Sequence, residues 1–220
     1  GSIHAIDTVT DYEAFSADLY ERPEEMHAQA RAMSDGAIAR GRAIREAGAD
    51  FVNLVSDVAF NGGPFISPAM FDTFVIPYMH RHIPALKAEG LIVIQHSDGN
   101  LMPILDDWIS PGPHLLHSLD PMAGMDMAEV KRRTYGKVAL MGNVQCNLLQ
   151  DGPDEAIITS ARYALTHGAP GGGYIFSSSN TIFPGLPLRH YALMLGELAR
   201  YNAGERWEGV PFTGGVTYAQ

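Results

Sequence analysis

His96 and Asp98 stand two residues apart, directly after the apolar run Leu91-Ile-Val-Ile94. On an extended chain that spacing puts both side chains on one face. An imidazole beside a carboxylate can bind a metal, move a proton as acid and base, or hold a polar ligand. The same residues also have structural uses. His96 can be a hydrogen-bonded core histidine, Asp98-Gly99 can be a turn, and Asp98 can cap a helix that starts at Leu101.

Four more apolar runs end in polar residues in the same way. Phe51–Val55 runs into Ser56-Asp57, ahead of Asn61-Gly62-Gly63-Pro64, which allows a tight turn or close backbone approach to a ligand. His114–Leu116 leads to His117 and Asp120, and Val138–Met141 leads to Asn143 and Gln145. Tyr174–Phe176 leads to Ser177-Ser178-Ser179-Asn180. We take His96, Asp98 and Asp57 as candidate catalytic residues, with His96 and Asp98 as candidate metal ligands. His117, Asp120, Asn143, Gln145, Ser178 and Asn180 are candidates to bind substrate. Asp57 also fits a loop cap, and Asp120-Pro121 also fits a turn. His114, near its strand start, reads as structural.

The elements that must position these residues are strands alternating with helices. A continuous apolar run of this length fits a parallel strand covered on both faces. Pro23-Glu24-Glu25 opens a helix that ends near Gly48, and Ser67-Pro68 opens another that Pro77 should kink or split. Further helices are expected over 101–108, 125–134, 154–166 and 187–202. The chain divides into an N-terminal segment (1–22, its first ten residues unassigned), a β/α region (23–203) and a tail (204–220) that packs as a loop. Polar residues at the carboxyl ends of parallel strands are how a β/α barrel builds its active site. A whole (β/α)₈ barrel takes about 250 residues, whereas five β/α units can be placed here, so the fold class is α/β, a TIM-type barrel in partial form.

Other features narrow the chemistry. With 25 acidic and 15 basic residues the net charge is −10, which argues against nucleic-acid and anionic-membrane surfaces. No basic run, membrane-spanning stretch or signal peptide is read, and the leading Gly1-Ser2 fits a cloning scar. Cys146 is the single cysteine. It excludes an internal disulfide, reads as a small buried hydrophobe, and makes a reducing cytoplasm the expected location. Gly171-Gly172-Gly173 precedes its strand, the wrong order for a phosphate-gripping loop. No G-x-S-x-G elbow occurs.

Taken in order, several stretches resemble the uroporphyrinogen decarboxylase superfamily, which also holds corrinoid-linked methyltransferases. They are Glu46–Asp50, Ser67–Phe71 to Pro77-Tyr78, Ile94–Asn100, Val130-Lys131 with Tyr135-Gly136, Gly142-Asn143, Gly171–Tyr174 and Ser177–Pro187. The resemblance implies a (β/α)₈ barrel in a complete member, of which this chain matches the carboxyl-terminal part. In the decarboxylases, the amino-terminal part carries the arginines and the aspartate that hold the tetrapyrrole. In the methyltransferases, the resemblance implies a zinc site of the form His-x-Cys plus a later cysteine. His96 matches that histidine, Asp98 stands at the first cysteine position and Asn180 near the second, a set less thiophilic than thiolates.

The nearest subgroup by resemblance is one with His-Ser-Asp-Gly. The expectation is a methyltransferase-type enzyme handling a methylated small molecule with a corrinoid partner protein, with zinc as its candidate metal. The first alternative is tetrapyrrole decarboxylation that needs the amino-terminal part. The second is a binding module or inert fragment that pairs through its open edge, in a homodimer or with another chain.

Overall fold

A computed structural model describes residues 11–215, which form two compact units, one ending at Leu116 and the other starting at His117. Gly1-Ser2 and the end of the tail lie outside the described residues.

In the first unit, helix α1 (Tyr12–Glu21) starts where the Asp11 carboxylate accepts the Ala14 N–H at 2.9 Å. The apolar period gave no sign of this helix, whereas the aspartate cap and Pro23 two residues beyond its end mark both boundaries. Helix α2 (Pro23–Glu46) has proline in its first turn and Arg45 in its last, both favourable to a helix. Its buried stripe is Met26, Ala30, Ser34, Ala37 and Gly41. Three- and four-residue steps keep these on one face, which packs on α4.

Strand β1 (Phe51–Val55) is followed by a two-stranded hairpin, β2 (Ala59–Phe60) and β3 (Gly63–Pro64), paired Phe60 to Gly63. Asn61-Gly62 is the two-residue turn, the residue pair such hairpins favour. Helix α3 (Pro68–Phe74) is capped by Ser67, whose hydroxyl accepts the Met70 N–H at 3.3 Å. The break expected at Pro77 falls at Val75, and α4 (Ile76–Ala88) carries that proline in its first turn.

Strand β4 (Ile92–Ser97) lies parallel to β1, with Val55 opposite His96. The helix expected over 101–108 is a 3₁₀ turn (Met102–Ile104) running into the five-residue α5 (Leu105–Ile109). Asn100 Oδ1 accepts the Met102 N–H at 3.0 Å just ahead of this turn, whereas Asp98, expected as its cap, is used elsewhere.

Strand β5 (Leu115–Ser118) spans the boundary between the units. The second unit continues with α6 (Met127–Thr134), β6 (Ala139–Val144), α7 (Cys146–Asp151), α8 (Asp154–Gly168), β7 (Tyr174–Ser178) and α9 (Leu188–Asn202). Strands β6 and β7 are parallel. The core of this unit joins Val144, Leu148, Leu149, Ile157, Ala161, Ala164 and Met194, so α7, α8 and α9 close over the end of β6. Helix α7 is not among the helices expected from the sequence, since its six residues are too few to show a helical period. Cys146 opens it and is only partly buried, a correction to its reading as a core hydrophobe. Gly171, Gly172 and Gly173 all have positive φ and turn the chain into β7. In the tail, Phe212 packs on the Tyr163 ring and Arg162 lies over Trp207.

The strand order is β1-β4-β5-β6-β7. This is the α/β architecture with a parallel five-stranded sheet that the strand-end pattern implies. β1 ends that order and exposes Phe51 and Val55. Among the described residues no helix is long and apolar enough to cross a membrane.

Candidate metal and acid–base site

The first unit brings Asp57, His96 and Asp98 together. Register does this: Val55 pairs with His96, so the chain leaving β1 and the chain leaving β4 emerge side by side. One ligand atom from each of the three residues lies within 4.8 Å of the others. His96 Nε2 is 3.8 Å from Asp57 Oδ1 and 3.9 Å from Asp98 Oδ1. The imidazole is nearly buried, while the two carboxylates are partly open, with side-chain exposures of 37% for Asp57 and 28% for Asp98. The imidazole is thus withdrawn while both carboxylates keep contact with solvent.

Each residue of His96-Ser97-Asp98-Gly99 has a separate task. The Asp98 N–H donates to Asp57 Oδ1 at 2.8 Å. The Ser97 hydroxyl accepts the Val58 N–H at 3.1 Å and donates to the Asp98 carbonyl at 2.8 Å. Gly99 has φ +87°, and a Cβ there would lie 2.4 Å from the Ala59 carbonyl oxygen. Only glycine therefore lets the β2–β3 hairpin cross so closely. The Asn100 N–H then donates to the Phe60 carbonyl at 2.9 Å. Asn61-Gly62-Gly63-Pro64, which also fitted a ligand loop, forms this hairpin.

The remaining candidates all lie in the second unit. Asn143, buried at the end of β6, donates its amide to the carbonyls of Leu119 at 2.8 Å and Met125 at 3.2 Å. Gln145 is buried and donates to Asn147 Oδ1 at 2.7 Å. Asp120 Oδ1 accepts the Met122 N–H at 3.0 Å, capping a 3₁₀ turn. The Ser178 hydroxyl donates to the Asn180 carbonyl at 2.7 Å, and Asn180 Oδ1 accepts the Thr181 N–H at 2.6 Å. His117 is half-buried within β5. These bonds of Asn143, Gln145, Asp120, Ser178 and Asn180 thus all run to groups of their own unit. His114 accepts the Val93 N–H on Nδ1 at 3.0 Å, and burial, with Lys87 nearby, lowers its pKa.

The sequence reading missed His82 and Gln95. His82 is 2% exposed on α4, and its burial lowers its pKa to about 4. Its signal was the helical period, since Met79, His82 and Leu86 share one apolar face. Gln95 is buried in β4 beside His96 and donates weakly to Met79 Sδ at 4.0 Å.

Residues 4–201 match the family model described as Uroporphyrinogen decarboxylase (URO-D). Among curated relatives, the uroporphyrinogen decarboxylase of Cupriavidus necator is 28% identical over 202 residues, covering 87% of this chain and 52% of that protein. The decarboxylase of Xanthomonas oryzae is 27% identical over 205 residues, covering 87% of this chain and 54% of that protein. The chain spans about half the length of these relatives. Among solved structures, a methyltransferase from Methanosarcina mazei superposes with a TM-score of 0.76 at 23% identity. That match covers 90% of this chain and 56% of that protein, and at this identity it speaks for the fold.

Proposed function

From the premise that the chain belongs to the uroporphyrinogen decarboxylase family, we propose a methyltransferase-type enzyme. It holds a divalent metal on Asp57, His96 and Asp98 and takes a methyl group from a small molecule for transfer to a corrinoid partner protein. One observation supports this reading above the others: a nearly buried imidazole faces two carboxylates within 4.8 Å. Ligands bonded to zinc at about 2.1 Å in a tetrahedron stand roughly 3.4 Å apart. The imidazole-to-carboxylate separations of 3.8 and 3.9 Å, within a set no wider than 4.8 Å, are brought to that spacing by an inward shift of the carboxylates. Three protein ligands and an open side suit a catalytic rather than a structural zinc site.

A divalent ion there supplies Lewis acidity toward the heteroatom that carries the methyl group. The chain does the rest. The Asp98 N–H and Ser97 hydroxyl hold the carboxylate-bearing loops in register, and the open side admits substrate. An oxygen-and-nitrogen ligand set favours an O- or N-methyl substrate over a thiol. The Methanosarcina fold neighbour supports a methyl-transfer scaffold.

A second reading rests on the named decarboxylases among the relatives. The substrate would then be a tetrapyrrole, His96 and its carboxylates would serve as acid and base, and further chain would complete the site. A third rests on exposed Phe51 and Val55 on the terminal strand β1; there the chain works as a module that pairs with another copy or partner.

Zinc titration by calorimetry, with elemental analysis of the purified chain, tests the first reading. The expected result is one zinc per chain, lost in His96→Ala. No zinc uptake in any preparation removes the reading. Turnover of uroporphyrinogen without a metal would instead select the second.

A further inference from the structure

Behind His96, within the first unit, lies a small cavity lined by β1, α4, β4 and α5; its wall includes Ser56, His82, Gln95, His96 and Trp108. The free space at its centre is about 10 Å³, room for the centre of roughly one water molecule. Three polar atoms on this wall are buried without a hydrogen-bond partner among the described residues: His82 Nδ1, Gln95 Oε1 and Trp108 Nε1. The residues that bear them are each 2% exposed. A buried polar atom left unsatisfied destabilises the fold, so three around one cavity indicate a common ligand.

We propose that this cavity is a built site for a single water molecule, held by Trp108, Gln95 and His82 behind His96. The lining selects that ligand by its chemistry. The Trp108 indole can only donate, and Gln95 Oε1 can only accept. Gln95 keeps this orientation because its Nε2 donates to Met79 Sδ at 4.0 Å. Burial keeps His82 uncharged near neutral pH, outweighing the opposite pull of the Tyr78 backbone. Its Nδ1, lacking a partner of good geometry among the described residues, can accept when the proton sits on the other ring nitrogen. One water accepts from the indole and donates to the amide oxygen and the imidazole, satisfying all three atoms at once. A cation would meet the indole N–H, an anion would meet the amide oxygen, and a larger molecule would not fit. The water lets a polar residue stay buried immediately before His96 and so braces the end of β4.

A high-resolution crystal structure of the 220-residue chain tests this first. The expected result is one density peak within hydrogen-bond distance of Trp108 Nε1 and Gln95 Oε1. A cavity without density, a larger occupant, or a Gln95 or Trp108 side chain rotated onto a protein partner overturns the proposal. The second measurement is the urea midpoint of Trp108→Phe, Gln95→Met and the double variant. Each single variant lowers the midpoint by stranding the partners that remain. The double variant falls by less than the sum, because the water loses most of its hold and leaves. Additive losses count against the site. If a variant does not fold, the density of the unaltered chain decides. Neither measurement involves a metal, so a failed zinc titration leaves the inference standing, and the reverse holds too.

Discussion

The backbone N–H of Asp98 donates to the carboxylate of Asp57 at 2.8 Å, tying the chain that leaves β4 to the chain that leaves β1. The same Oδ1 is 3.8 Å from His96 Nε2. One carboxylate oxygen therefore serves both the scaffold and the candidate ligand set, and replacing it should disturb both in separable ways.

Asp57→Asn keeps an oxygen that accepts the Asp98 N–H but removes the charge. We expect a urea midpoint close to that of the unaltered chain, with zinc affinity at least tenfold weaker. Asp57→Ala loses the acceptor as well, at an additional cost of roughly 1–3 kcal/mol in stability. Calorimetric titration paired with urea unfolding separates the two effects. Equal stability of the two variants would show that this hydrogen bond has no structural weight.

Gly99→Ala places a Cβ 2.4 Å from the Ala59 carbonyl oxygen and strains a φ of +87°. Backbone cannot move aside as a flexible side-chain end can. The expected loss is roughly 1–3 kcal/mol from the backbone conformation alone, with further loss from the displaced hairpin. Amide exchange at Asn100, which donates to the Phe60 carbonyl, should quicken more than exchange in α2. Unchanged protection at Asn100 would show that the hairpin tolerates the methyl group.

His82 gives the first unit a pH dependence of known sign. Burial lowers its folded pKa to about 4, below the ordinary 6.5 of an unfolded histidine. The unfolded state therefore binds the proton more readily. The contribution to stability is complete above pH 6.5, falls as pH drops, and is gone below about pH 4. A shift of that size is worth about 3 kcal/mol. His82→Leu should flatten the stability profile between pH 6.5 and 4, measured by urea unfolding at each pH. A profile that His82→Leu leaves unchanged would place the acid sensitivity in other groups.

Glu197 is 4% exposed on α9, bonded to Arg162 at 2.7 Å and to Arg200 at 3.3 Å. Arg162→Ala leaves the buried carboxylate with the weaker partner and removes the cation over Trp207. Breaking a buried pair from one side costs up to roughly 3–5 kcal/mol; with Arg200 still present, about half of that is expected. Adding Glu197→Gln to Arg162→Ala should restore part of the loss, as read from thermal unfolding midpoints.

Local chemistry, which acts over a few residues, was legible in the sequence. Apolar runs of strand length, Ser67-Pro68, Pro23-Glu24-Glu25 and the strand-end His96-Ser97-Asp98-Gly99 announced a parallel α/β fold with polar residues at its strand ends. Asn61-Gly62 and Asp11 are local signals too, the first compatible with either a tight turn or a ligand loop and the second lying in a segment without an apolar period. Tertiary structure alone decided which polar residues meet. Asp57 joins His96 and Asp98 because parallel pairing sets Val55 opposite His96, a register that no short window of sequence contains. Asn143 carries the same strand-end signal, yet its amide donors go to the carbonyls of Leu119 and Met125. The burial of His82, and the three polar atoms around the cavity behind His96, likewise depend on how α4 and α5 pack on the sheet. Secondary structure follows from near neighbours along the chain, whereas a site is made by neighbours in space.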